Sequence, residues 1–177
     1  VNRLEVCEVA DEIQDAIYKA YEGESKASVR LKVFADKADE EEYSSVAKLF
    51  RAVADSEAIH ARNALRLLHE IKDTETNLSD SLASEQKIAQ VAYGDFITKA
   101  EAQENKPVAT MFTWARDVED VHAKLYEKAL EHLLAEEEPT YYVCDVCGYV
   151  ADGAIPDKCP VCQNPAKVFY EVTCKYD

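Results

Sequence analysis

The chain has 177 residues, 47% of them hydrophobic, and a formal net charge of −15. That length suits one ordinary domain, or one plus a small module, and the apolar content excludes a disordered chain. No run of 18 apolar residues occurs, which excludes a membrane-spanning helix, and the negative charge argues against nucleic acid or an anionic lipid surface as a partner.

Composition changes abruptly along the chain. Residues 1–138 hold two Gly, one Pro and one Cys, whereas residues 139–177 hold two Gly, four Pro and five Cys. The first stretch, with so few helix breakers, reads as nearly all helix. The second is too short to build a core of its own and needs a metal or disulfides to fold. The boundary is expected at Glu136-Glu137-Glu138-Pro139, where charge repulsion and proline both oppose helix. Val1 to Glu12 has neither the basic stretch nor the apolar core of a secretory signal, so a cytoplasmic location is expected.

Four amphipathic helices follow in chain order, each read from residues spaced alternately three and four apart. Their seams are Ile13, Ile17, Ala20, Glu24, Ala27, Leu31 and Phe34; Tyr43, Val46, Phe50, Val53, Glu57, His60, Ala64 and Leu67; Leu78, Leu82, Glu85, Ala89, Ala92 and Phe96; and Phe112, Ala115, Glu119, His122, Tyr126, Ala129 and Leu133. Continuous seams of this kind are the pattern of a helix bundle. Short polar stretches at Asp36–Glu42 and Ala102–Pro107 predict two antiparallel hairpins, joined through Lys72–Asn77. Whether the second hairpin stays in the same bundle or crosses to a partner chain is left open by the sequence.

Each seam contains one Glu. A charged carboxylate in an apolar seam costs several kcal/mol unless compensated. A helix-end glutamate reaching water explains one such case; it does not explain four. Of the four histidines, only His60 and His122 follow a glutamate by three residues, as Glu57-x-x-His60 and Glu119-x-x-His122. His69 and His132 fall near helix ends and read as surface residues. The constellation also repeats: Glu24 to Glu57 is 33 residues and Glu85 to Glu119 is 34.

Residues i and i+3 share a helix face, so each E-x-x-H pair offers a carboxylate and an imidazole to one point. Two such helices, with one glutamate from each of the others, give four carboxylates and two imidazoles. Two divalent cations would neutralise that set, which is the di-iron or di-manganese pattern of ferritin-like bundles.

The tail reads Cys144-x-x-Cys147-Gly148-Tyr149, then Cys159-Pro160-x-Cys162. Two C-x-x-C knuckles are a specific tetrahedral metal signature. Disulfides are the alternative, disfavoured in a reducing compartment. Four thiolates accept either structural zinc or redox-active iron. Tyr141, Tyr142, Tyr149, Phe169 and Tyr170 are expected to form a small aromatic core, and Cys7 and Cys174 to be free thiols.

On these motifs the chain resembles the rubrerythrins over essentially its whole length. The resemblance is carried by Gly23-Glu24-Ser25 through Phe34-Ala35, Glu57-x-x-His60-Ala61, Tyr93, Glu119-x-x-His122 and the cysteine tail. It implies a mainly α fold: a ferritin-like four-helix bundle over residues 1–138, followed by a rubredoxin-like β/loop domain over residues 139–177. It implies two iron ions held by Glu24, Glu57, His60, Glu85, Glu119 and His122, and one iron held by Cys144, Cys147, Cys159 and Cys162. Glu57 and Glu119 would bridge; Glu24 and Glu85 would be terminal. The implied activity is reduction of hydrogen peroxide to water, carried by these four glutamates; Tyr93, two turns beyond Glu85 on the same face, reads either as a hydrogen-bond or proton donor to peroxide or as a core aromatic. Electrons would come through the one-iron centre from an external donor, an NAD(P)H-linked reductase or a rubredoxin. A homodimer is implied, with one chain's rubredoxin-like domain approaching the other's di-iron site. The competing readings are a ferritin-like oxidase or iron-handling protein, and a non-catalytic module with zinc in the tail.

The chain departs from the family pattern in three places. Ile88 stands where a further glutamate is usual, Leu31 where a tyrosine is common, and Gln163 where the second knuckle usually has glycine. A knuckle turn requires φ > 0, so Gln163 is expected to be strained.

Overall fold

The computed structural model describes residues 11–133 and 139–173. The expected boundary at Glu136–Glu138 and both outlying cysteines, Cys7 and Cys174, lie outside the described residues. The chain divides into two compact units, Val1–Lys72 and Asp73–Asp177.

The first unit is a hairpin of α1 (Asp11–Glu40) and α2 (Ser44–Leu67). Its contact stripe is made of small residues: Ser28, Ala35 and Ala38 on α1 face Ala47, Ala54, Ala61 and Ala64 on α2, all of them buried. Small side chains let the backbones approach closely enough for the Ser28 hydroxyl to donate to the Ala54 carbonyl at 2.9 Å. Phe34 and Phe50 meet edge to face at 5.8 Å. Arg51 clamps the open side through Asp36 and Asp39, at 3.3 and 2.6 Å. The large seam residues do not fill this contact. Phe34 is 46% exposed and Tyr43, which precedes the first turn of α2, 61%.

The second unit opens with α3 (Thr74–Lys87), a π-helical turn (Ile88–Ala92) and α4 (Tyr93–Ala102), which pack against α5 (Lys106–Glu131). The seam from Leu78 to Phe96 predicts one uninterrupted helix. The structure instead widens it into a π turn that begins at Ile88, a device common at functional sites. Asp73 caps α3, its carboxylate accepting from the Thr76 N–H at 2.9 Å, and Asn105 caps α5 through the Val108 N–H at 3.4 Å. Tyr93, Phe96 and Phe112 pack as an aromatic trio with ring centres 5.4–6.2 Å apart.

The tail forms a three-stranded antiparallel sheet in the order β2 (Val150–Asp152), β1 (Tyr141–Cys144), β3 (Phe169–Glu171). Tyr149 meets Phe169 edge to face at 6.2 Å. Tyr170, expected in the same cluster, is 53% exposed, because alternation along β3 turns it away from Phe169.

Candidate metal centres

Three groups of donor side chains converge among the described residues, each with its ligand atoms within 4.8 Å of one another: Glu24, Glu57 and His60; Glu85, Glu119 and His122; and Cys144, Cys147, Cys159 and Cys162.

The first two groups are built the same way. On α2, one helical turn brings Glu57 Oε2 to 2.9 Å from His60 Nδ1. On α5 the same spacing brings Glu119 Oε2 to 2.9 Å from His122 Nδ1. The neighbouring helix supplies the third donor. Glu24 comes from α1, its carboxylate 3.9 Å from His60 Nδ1, and Glu85 comes from α3. In each group two carboxylates lie close enough to share a proton. Glu24 is shifted above the usual carboxylate range, first by its hydrogen bond with Glu57. Glu85 is pushed up to about 6, first by burial and then by Glu119. Such carboxylate pairs repel unless a proton or a cation sits with them, and an imidazole beside them suits a divalent transition metal. The donor set fits iron.

Tyr93 lies within the electrostatic reach of the second group. Burial, then Glu119 and Glu85, raise its hydroxyl above the ordinary tyrosine value. It therefore stays protonated and is a donor rather than a phenolate. His69 and His132, the two remaining histidines, sit at the ends of α2 and α5 outside all three groups, exposed.

The four-cysteine group hangs on two tight turns. Gly148 has φ 81° and Gln163 φ 60°, and these turns aim backbone N–H groups at sulfur. Cys144 Sγ lies 3.7 Å from Cys162 Sγ, and Cys147 Sγ lies 3.5 Å from Cys159 Sγ. All four are free thiols. Burial pushes Cys147 and Cys159 upward. Burial also works against the thiolate of Cys162, but the Asn164 side chain and backbone N–H groups outweigh it and bring the group down to about 7. Asn164 Nδ2 donates to Cys162 Sγ at 3.3 Å. Four converging sulfurs cannot all ionise without a cation at their centre, and a thiolate-only tetrahedron accepts iron.

The cysteine module also touches α5 of its own chain. A Cβ on Gly148 would meet Val118 Cγ1 at 3.9 Å, and Val118 immediately precedes Glu119. Lys128 pairs with Asp152 of β2. A pocket of about 420 Å³ is lined by residues that include His122 and Tyr126 of α5 with Tyr141 and Val150 of the module. The sequence offered no sign of this contact, since nothing in the spacing of either segment refers to the other.

A carboxylate–histidine helical hairpin coupled to a four-cysteine knuckle module defines a class of non-haem iron proteins. Comparison with known proteins is specific within that class. The Rubrerythrin family profile matches residues 15–87, and the profile of the rubrerythrin rubredoxin-like domain matches residues 142–170. Rubrerythrin-2 of Clostridium acetobutylicum is 31% identical over 84% of this chain and 90% of its own length. Nigerythrin of Nitratidesulfovibrio vulgaris is 30% identical over 85% of this chain and 81% of its own. Solved structures of nigerythrin, in a partially reduced state and in the fully reduced all-ferrous state, align with a TM-score of 0.56 at 27% identity, covering 96% of this chain and 91% of theirs. The chain belongs to the rubrerythrin family. Its fold is that of the family, ferritin-like helices followed by a rubredoxin-like module. Its cofactors are the family's iron ions, at the Glu/His donors and at the four cysteines. Rubrerythrins are, as a family, oxidoreductases. Among the described residues no helix is long and apolar enough to cross a membrane.

Proposed function

We propose that this protein is a cytoplasmic non-haem peroxidase that reduces hydrogen peroxide to two waters, consuming two electrons and two protons. The reading divides the chain at residue 138 into a reaction domain and an electron-carrying domain. The observation that carries it is the duplicated Glu/Glu/His cluster on a chain whose cysteine module abuts Val118, next to Glu119. A storage or structural role needs no such donor module.

Ferrous iron bound by these donors would supply the two electrons and polarise the O–O bond. The protein's own contribution follows from its residues. Glu57 and Glu119, on the E-x-x-H helices, would hold the metals through their carboxylates beside His60 and His122. Glu24 and Glu85 would hold the metals as further carboxylate ligands, and His60 and His122 as imidazole ligands. Tyr93, kept protonated by its surroundings, would donate a hydrogen bond or a proton to the peroxide. Electrons return through the four-cysteine module from an external NAD(P)H-linked reductase or a rubredoxin.

Stopped-flow mixing of anaerobic, reduced protein with peroxide tests this. Oxidation by peroxide should run well ahead of oxidation by dioxygen. A second reading, a ferritin-like oxidase, is favoured by one observation: Ile88, at the head of the π turn, takes the position of the extra glutamate usual in the family. Faster oxidation by dioxygen in the same experiment would select it.

A further inference from the structure

We infer that the Asn164 side chain raises the reduction potential of the four-cysteine iron, by donating a hydrogen bond to Cys162 Sγ that favours the ferrous state. The inference concerns the iron at the cysteines alone and holds whichever oxidant reacts at the Glu/His centres.

The two knuckles match in their backbone. In the first, the Cys144 N–H donates to the Tyr149 carbonyl at 2.9 Å and the Gly148 N–H to the Cys144 carbonyl at 2.9 Å. In the second, the Cys159 N–H donates to the Asn164 carbonyl at 2.8 Å and the Gln163 N–H to the Cys159 carbonyl at 2.9 Å. Gly148 and Gln163 hold the same left-handed position, at φ 81° and 60°. Each turn then aims the next backbone N–H, that of Tyr149 or of Asn164, at the sulfur of its second cysteine.

The side chains at that last position break the match. The Tyr149 ring turns to Phe169, with 6.2 Å between centres. Asn164 Nδ2 instead lies 3.3 Å from Cys162 Sγ and 3.4 Å from the Cys162 carbonyl oxygen. Cys162 Sγ therefore receives a side-chain donor on top of the backbone one. Backbone conformation does not account for an asparagine here. Asparagine is favoured in turns partly because it tolerates positive φ, but the left-handed residue of this turn is Gln163. Asn164 is also half-buried, so water competes less for its donor.

The consequence follows from charge. Four thiolates around ferric iron leave one net negative charge, and reduction adds a second, much of it carried on sulfur. A donor aimed at sulfur interacts more strongly with the more highly charged ferrous form, and hydrogen bonds to the sulfurs are among the levers that set such potentials. A module tuned in this way accepts an electron from a weaker donor and holds it more firmly.

Potentiometric titration of the full-length, iron-loaded protein, followed through the visible band of the ferric four-cysteine iron, tests this. Asn164→Leu keeps the approximate shape of the side chain and removes the donor. It should shift the equilibrium towards the ferric form by about tenfold, a fall in potential of ~59 mV for one electron. A merely structural role predicts the opposite sign, because a loosened knuckle admits water, which stabilises the ferrous form and raises the potential. Gln163→Gly is the neighbouring control: Gln163 Nε2 donates to the Pro160 carbonyl at 3.0 Å, so its loss should leave the potential where it was. A potential in Asn164→Leu equal to or above that of the wild type overturns the inference, and so does an equal fall in Gln163→Gly. Should the leucine variant fail to take up iron, Asn164→Val, which also lacks a donor, carries the same expected fall and the same overturning result.

Discussion

Gln163 shows what a single residue costs at a metal knuckle. The other knuckle turn is served by Gly148 at φ 81°, but here φ 60° is imposed on a side chain with a Cβ. The left-handed conformation costs an L-residue about 1–2 kcal/mol, partly offset by the Gln163 side chain donating to the Pro160 carbonyl at 3.0 Å. Gln163→Gly should therefore stabilise the metal-bound module by about 0.5–1 kcal/mol, which is roughly a two- to fivefold gain in resistance to chelators. Competition with a chelator, followed through the visible band of the four-cysteine iron, measures it. The strain was legible in the sequence, because a knuckle motif fixes its own φ values locally. Glu42, His69 and Glu104 also adopt positive φ, each just past a helix end. They were not legible, since a helix that stops without glycine gives no sign of how its last carbonyls are satisfied. The E-x-x-H and C-x-x-C ligand sets were readable for the same local reason as the knuckle: helix period and turn geometry fix which atoms meet.

Between elements, side-chain size decides more than apolar character does. The α1–α2 contact is an alanine stripe, with Ala54 fully buried and its carbonyl held by Ser28. Of that stripe the sequence pattern picked out Ala64 alone, because periodicity finds apolar faces without saying which face meets which neighbour. Ala54→Leu should force the helices apart and destabilise the hairpin by about 1–3 kcal/mol. Thermal or urea unfolding checks that, and iron uptake should fall with it, since Glu24 and Glu57 stand on opposite helices of the same pair.

The α3–α5 contact makes a different prediction, set by pH. Glu85 is raised to about 6, by burial first and then by Glu119. A carboxyl with a raised folded pKa favours the folded state in its protonated form. In metal-free protein its contribution is present in full below about 4.5 and is lost as pH rises through about 6. Metal binding must expel that proton, so iron affinity should weaken as pH falls through 6. Metal titrations from pH 5 to 7, with proton release read in weak buffer, test both signs. Glu85→Gln should remove the part of the pH dependence of metal-free stability that is centred near 6. The π turn after Glu85 was not legible either: one residue more per turn leaves no mark on composition, and the seam residues on both sides of it still fall in phase with a helix.

Across the whole molecule, the −15 charge first excluded nucleic acid and then gained a partial assignment. Glu24, Glu57, Glu85 and Glu119 are the acids that iron would neutralise; most of the rest face solvent. The break in composition separated two chemistries, but it did not indicate that the cysteine module would rest on the ligand-bearing helix. Two contacts fix that placement, Gly148 against Val118 and the ion pair between Lys128 and Asp152. The ion pair is the one that can be reversed without touching a ligand. Lys128→Glu would set like charge against Asp152, whose side chain is only 22% exposed. Because the Lys128 side chain is itself 56% exposed, solvent screens this repulsion to about 1 kcal/mol, enough to reduce the docked population about fivefold. If the module returns electrons through this contact, turnover with an external donor should fall by about that factor. The single-turnover oxidation of pre-reduced protein by peroxide should be unchanged, because the electrons are already at the Glu/His centre. Asp152→Lys in the same chain should restore turnover by reversing the pair. Equal loss in both assays would instead mean that the substitution had damaged α5 and its ligands, and an unaffected steady state would mean that electrons reach Glu119 by a route that does not depend on this docking.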